Sequence, residues 1–211
     1  MRVMRQVPFL IYLCLWVSAV SAAAPSDVAG WKAARWGMTA AELRTAFRQD
    51  LKKLPGRWEY GRAYADHAVF GADVAGLAFD AFFQMNNETQ ELEQVLLERR
   101  RPRATPAAFE KLLDGLEERY GPPTETCQQR KTGGQPLRYA LVWRFPTTTL
   151  HASFLDFSST EVFTRNPNVD IDPLRTFRDD RRITHRFVPR RILLRLHASD
   201  REDLAPQCPQ N

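Results

Sequence analysis

The groups in this chain best suited to chemistry are four histidines, two late cysteines, a few carboxylates and a run of arginines. His67, His151, His185 and His197 stand singly, and no Cys/His cluster has the spacing of a zinc site. Asn168, Asp170 and Asp172 alternate like the start of a calcium loop. Pro173 stands where such a loop needs a turn glycine, and Asp179 rather than Glu holds the twelfth position. The acidic stretch from Glu88 to Glu98 reads as a solvated hairpin rather than as paired catalytic acids. No nucleophile elbow, phosphate loop, HExxH or dinucleotide fingerprint is present. The expectation is a chain without metal or cofactor, and not an enzyme.

Arginine is the exception. Leu174 to Arg191 holds seven Arg against two Asp, interleaved with Phe177, Ile183, Phe187 and Val188. Guanidinium pairs carboxylate or phosphate bidentately and stacks on rings. This segment could therefore dock an anionic partner: an acidic protein, an anionic lipid or a cell-wall polymer. It could equally be a solvated loop in which Asp179 and Asp180 make weak local ion pairs. It lies in and just beyond residues 158–189, a long stretch without periodicity, and loops of that length are usually functional or disordered.

The compartment is read from the other end. Arg2 and Arg5 precede an apolar run from Val7 to Val20, and small residues follow to Ala24, the layout of a secretory signal peptide with cleavage after Ala22. The run is too short to span a bilayer, and Tyr12 and Leu13 before Cys14 do not fit a lipid-attachment site. Cleavage lowers the formal charge from +5 to +3, so the basic balance does not call for nucleic acid. It also removes Cys14. Cys127 and Cys208 then remain for one disulfide in an oxidising compartment. The expected location is periplasmic or secreted, with no transmembrane segment after cleavage; oligomeric state is left open.

These groups must be positioned by a repeated pattern. Thr39 and Glu42 form a capping box, and Leu43, Ala46, Phe47, Leu51 and Leu54 make a helical stripe ending at Pro55-Gly56. Trp36-Gly37 is the approach to that helix. Strand-like runs follow at 60–70, 76–85 and 92–99, the last two joined as a hairpin. The order then restarts. Thr105-Pro106 caps a helix carrying Phe109, Leu112, Leu113, Leu116 and Tyr120, and strands are read at 137–145, 150–157 and 190–198. The fold class expected is α+β: two helix-then-three-strand units in one antiparallel sheet, with both helices on one face. The units span 31–100 and 104–198, the second carrying the 158–189 insertion, with a signal peptide at 1–22 and a tail at 199–211. The two caps lie 66 residues apart, which suggests internal duplication.

Alternation sends Arg138, Arg144, Arg191, Arg195, His197 and Phe82 to the face away from the helices. With Arg181 and Arg182 of the insertion, they are the expected binding residues. Gly37-Met38-Thr39-x-x-Glu42-Leu43, Tyr120-Gly121-Pro122-Pro123 and Trp143-x-Phe145 resemble small exported bacterial modules. They are similar to outer-membrane assembly lipoproteins of the SmpA/OmlA type and to the β-lactamase-inhibitor protein, with its tandem helix-plus-sheet repeats. The resemblance covers residues 31–155 and implies a non-enzymatic protein that binds another protein, often through the uncovered sheet face. This chain lacks the lipid-acceptor cysteine of the first family. The leading functional expectation is a periplasmic binding or assembly module for a protein or anionic envelope partner. A secreted hydrolase with its site in 158–189 and a structural envelope-associated protein are the alternatives.

Overall fold

Both helices start where their caps dictate. The computed structural model of the chain describes residues 25–100, 103–129, 137–156 and 190–205. In α1 (Ala40–Phe47), Thr39 Oγ1 accepts from Glu42 N–H at 3.4 Å, and Glu42 Oε2 accepts from Thr39 N–H at 2.8 Å. In α2 (Pro106–Tyr120), Thr105 Oγ1 accepts from Ala108 N–H at 3.1 Å, with Pro106 at the first helical position, where no N–H is needed. Gly121, at φ 77°, ends it.

Among the described residues, eight strands follow the helices in two groups of four. They are β1 (Lys52–Tyr60), β2 (Ala63–Val74), β3 (Leu77–Asn86) and β4 (Leu92–Arg100), then β5 (Glu125–Gln129), β6 (Leu137–Arg144), β7 (Thr148–Asp156) and β8 (Arg190–Ala198). All pairings are antiparallel, in the order β1-β2-β3-β4-β8-β7-β6-β5. Each half is thus one helix and a four-stranded meander. The two halves join through β4 and β8, with Leu97 opposite Leu194. The chain is α+β and mostly sheet. No helix among the described residues is long and apolar enough to cross a membrane.

The expected three strands per half are corrected to four, because both edge strands escape a reading based on apolar alternation. β1 contains Pro55-Gly56, which mimics a helix stop. Proline is tolerated on an edge strand, and the register of β1 slips between Lys53 and Trp58. The first helix is correspondingly shorter than its stripe. It stops at Phe47, Arg48 takes φ 50°, and Leu54 belongs to β1. β5 is short and polar, so it carries no apolar period at all.

One cluster gathers Leu43 and Phe47 of α1, Phe109, Leu112 and Leu116 of α2, and the inward rows Phe79/Phe83, Leu141/Trp143, Leu150/Phe154 and Ile192/Leu194. Both helices therefore cover the same face. Phe47 meets Phe83 at 5.0 Å between ring centres and Phe109 meets Phe154 at 5.6 Å, which seats α1 on β3 and α2 on β7. A strap ahead of α1 is latched to the start of β7. Trp36 Nε1 donates to Thr148 Oγ1 at 2.9 Å and Gly30 N–H to the same oxygen at 3.1 Å. Asp27 accepts from the Thr147 hydroxyl at 2.9 Å. The Trp36-Gly37 pair is explained by this seam. Gly37, at φ 79°, turns the chain so that its N–H reaches the Leu92 carbonyl at 3.0 Å.

Candidate functional site

The helix-free face carries small apolar clusters of its own. On a flat sheet β1 and β8 would stand about 19 Å apart at the usual spacing of roughly 4.8 Å per strand. Yet Trp58 and Tyr60 of β1 pack against Leu96 of β4 and Leu193 of β8. The bulged edge must curl inward for those side chains to reach the middle. Trp58 lies 4.8 Å from Phe82 between ring centres, and Phe82 is itself 6.5 Å from Phe70. The three rings form a row across β1, β2 and β3.

Phe70 is the exposed end of that row, 53% open to solvent and the only large apolar side chain so exposed among the described residues. A backbone irregularity lies beside it. The β2/β3 register slips between Val69 and Ala72, and Gly71 adopts φ 67° with its N–H donating to Asp80 Oδ1 at 3.2 Å. The sequence reading missed Phe70 because it ended the strand-like run at that residue; the Phe70-Gly71 pair was the available signal.

Beside the aromatic row lies a buried polar centre. The Glu98 side chain is 1% exposed, and its carboxylate holds Arg100 at 2.7 Å and Arg191 at 3.0 Å. Burial pushes the Arg191 pKa down, and the Glu98 charge works against that shift. Burial, with Glu98 adding to it, pushes the Tyr60 phenol far above its ordinary range, so Tyr60 stays a neutral donor. Gln94 Nε2 donates to Gln84 Oε1 across β3 and β4.

Further along β8, His197 is wholly buried. Its Nδ1 lies 2.8 Å from the Ala198 carbonyl oxygen, which can only accept, so Nδ1 carries the proton. The His151 ring stands across from it at 5.5 Å, near perpendicular. Burial chiefly holds the His197 pKa below the ordinary imidazole value, Arg144 and Arg201 lower it further, and Asp203 and the Ala198 carbonyl oppose them. Below about pH 6.5 the unfolded chain takes up a proton here that the folded chain refuses. Stability is accordingly at its full value above that pH and falls as pH drops toward the folded pKa. Replacing His197 with Phe should flatten the stability–pH curve between pH 5 and 7, by up to about 1.4 kcal/mol per pH unit. Urea titrations across that range measure it, and an unchanged slope would show that His197 titrates normally. Asp203, near pKa 2, and Asp27 and Glu42, both held below their usual values, titrate below this window.

Of the expected binding residues, Phe82, Arg144, Arg191, Arg195 and His197 stand on strand positions that alternate with the helix-covered rows, but they do not form an open cationic surface. Phe82, Arg191 and His197 are buried and Arg195 is half-buried. Arg144 is ion-paired to Glu125 at 2.6 Å. Arg138 is placed by its backbone on β6, opposite Gln129 and Leu155. Arg181 and Arg182 lie outside the described residues. So does Cys208, the expected partner of Cys127, which is buried on β5. The physical reason for the difference is the curl of the sheet together with Glu98, a carboxylate from another strand that draws the arginines inward. Compared with protein-family models, curated proteins and solved structures, the chain finds no match.

Proposed function

We propose that the chain is a non-catalytic binding module of the cell envelope, recognising a protein partner through the helix-free face of its sheet. The observation that supports this reading most is Phe70, half exposed at the end of the Trp58–Phe82–Phe70 row, beside the register slip at Gly71. A solvated ring backed by a fixed aromatic shelf loses little freedom on contact, the property of an interface anchor. The arginines of this face then act as a rim. Arg144 already holds Glu125 at the surface, so a partner meets that ion pair rather than bare charge, while Arg191 stays buried against Glu98. Export by a cleaved leader and a Cys127–Cys208 bridge belong to the same proposal, as does an anionic complement to the Arg-rich segment.

A photo-crosslinking residue at position 70 should give a discrete adduct in envelope extracts, and one at Glu110, exposed on α2, should give none. Phe70→Asp should cut capture of that partner at least tenfold and cost less than about 1 kcal/mol of stability. An adduct from position 110 alone, or capture indifferent to Phe70→Asp, would remove this face as the binding site.

A further inference from the structure

Two histidines far apart in the chain meet on the helix-free face. His151 of β7 stands opposite Arg195 and His197 of β8 opposite Thr149, so the two imidazoles are diagonal neighbours on one antiparallel pair. Their rings lie 5.5 Å apart between centres. Both are buried, at 1% and 0% exposure. Two imidazoles on one tetrahedral zinc ion, with Zn–N bonds of about 2.0–2.1 Å, bring their ring centres to about 5–5.5 Å. The observed separation matches that requirement.

The chemistry of the His197 ring fits the same reading. Nδ1 donates to the Ala198 carbonyl at 2.8 Å, which leaves Nε2 as the nitrogen with the lone pair. That nitrogen is buried and has no hydrogen-bond partner among the described residues. Metal-ligating histidines usually have this arrangement, one ring N–H tied to a backbone carbonyl and the other nitrogen on the metal. Gln94 stands directly opposite His197 on β4. Its Nε2 donates to Gln84, and its own Oε1 is buried without a partner among the described residues. Two buried acceptors on opposed residues, neither given a donor, are costly unless a bound species takes both lone pairs.

Most of the charges nearby are already matched. Arg144 is held by Glu125, and Arg201 by Glu93 and Asp203. Arg195, opposite His151, adds positive charge and favours an anion as the last ligand of a bound cation. Burial first, and then Arg144 and Arg201, keep His197 in the neutral form that ligation needs. Among the described residues no three His, Cys, Asp or Glu side chains come together, so the protein's share of the ligands is two imidazoles and an amide oxygen.

We propose that His151 and His197 hold one divalent transition-metal ion of the imidazole-binding class, zinc being the type, with Gln94 Oε1 as an auxiliary ligand. The ion ties β7 and β8 to β4, and so braces the join between the two halves of the sheet.

Titration of the chelator-stripped protein, free of any histidine tag, with Zn²⁺ tests the assignment. One equivalent is expected to bind and to raise the thermal midpoint. In nitrogen-15 spectra of the wild-type chain, Nε2 of His197 and one ring nitrogen of His151 should shift with Zn²⁺ while the His67 ring stays in place. That measurement needs no variant. His151→Phe and His197→Phe should each weaken binding at least tenfold, and His67→Gln should leave it unchanged; circular dichroism checks that each stays folded. Failure of the wild-type protein to take up one equivalent would overturn the proposal. Shifts confined to other histidines, or uptake indifferent to His151→Phe and His197→Phe, would overturn it too and assign the two buried lone pairs to an enclosed water.

Discussion

Trp143→Ala is expected to destabilise the protein by about 3–5 kcal/mol, the usual cost of deleting a large buried aromatic. The side chain is 1% exposed, in the core beneath α2. Its indole N–H donates to the Gly121 carbonyl at 2.8 Å. Alanine would leave a cavity under the end of α2 and take away the donor that satisfies that carbonyl. The two costs separate in Trp143→Phe, which keeps most of the buried ring and loses the hydrogen bond, for about 1–2 kcal/mol. Urea unfolding followed by circular dichroism reads both variants, and a constant m-value certifies the comparison. A cost for Trp143→Ala below about 1 kcal/mol would mean that the helix does not close over this strand as described.

The second large effect lies on the other face. Glu98→Ala should cost about 3–5 kcal/mol, because Arg191 and Arg100 then keep their charges with the shared carboxylate gone, and Arg191 is buried. Glu98→Leu combined with Arg191→Met should recover most of that loss. The pair is then replaced by apolar side chains of similar volume, and Arg100, about one-third exposed, can turn to solvent. The cycle isolates the coupling between the two residues. Additive costs in the double variant would show that Glu98 stabilises through packing alone. Partner capture by the double variant is informative in its own right. Retained capture would assign the buried ion pair to shaping the helix-free face rather than to contact.

The sequence by itself determined those features that are settled within a few residues. A capping box is a hydrogen-bond exchange across three residues, so Thr39 and Glu42 announce α1, and Thr105-Pro106 announces α2. Alternation has period two. Leu77, Phe79 and Phe83 in β3, Leu141 and Trp143 in β6, and Ile192, Leu194 and Leu196 in β8 could therefore be assigned to one face from spacing alone. The repeat of a helix followed by strands was legible for the same reason. What needed the tertiary structure was everything set by residues far apart. β1 and β5 form only because a neighbouring strand accepts their backbone, so their own residues carry no period, and Pro55-Gly56 points the wrong way. Alternation tells which side of the sheet Phe82, Arg191 and His197 occupy, but not whether that side is open. Their burial follows from the curl that brings Trp58 and Tyr60 over the sheet, and from Glu98 standing on β4 beside β8. Phe70 keeps the alternation of Ala68 and Phe82 and ends the aromatic row in solvent, beside the register slip at Gly71, which the local sequence does not reveal. The strap is held on the sheet by Thr148, on a strand more than a hundred residues away. Local hydrogen bonds and side-chain period are written along the chain; curvature, ion pairing and enclosure arise only when distant segments meet.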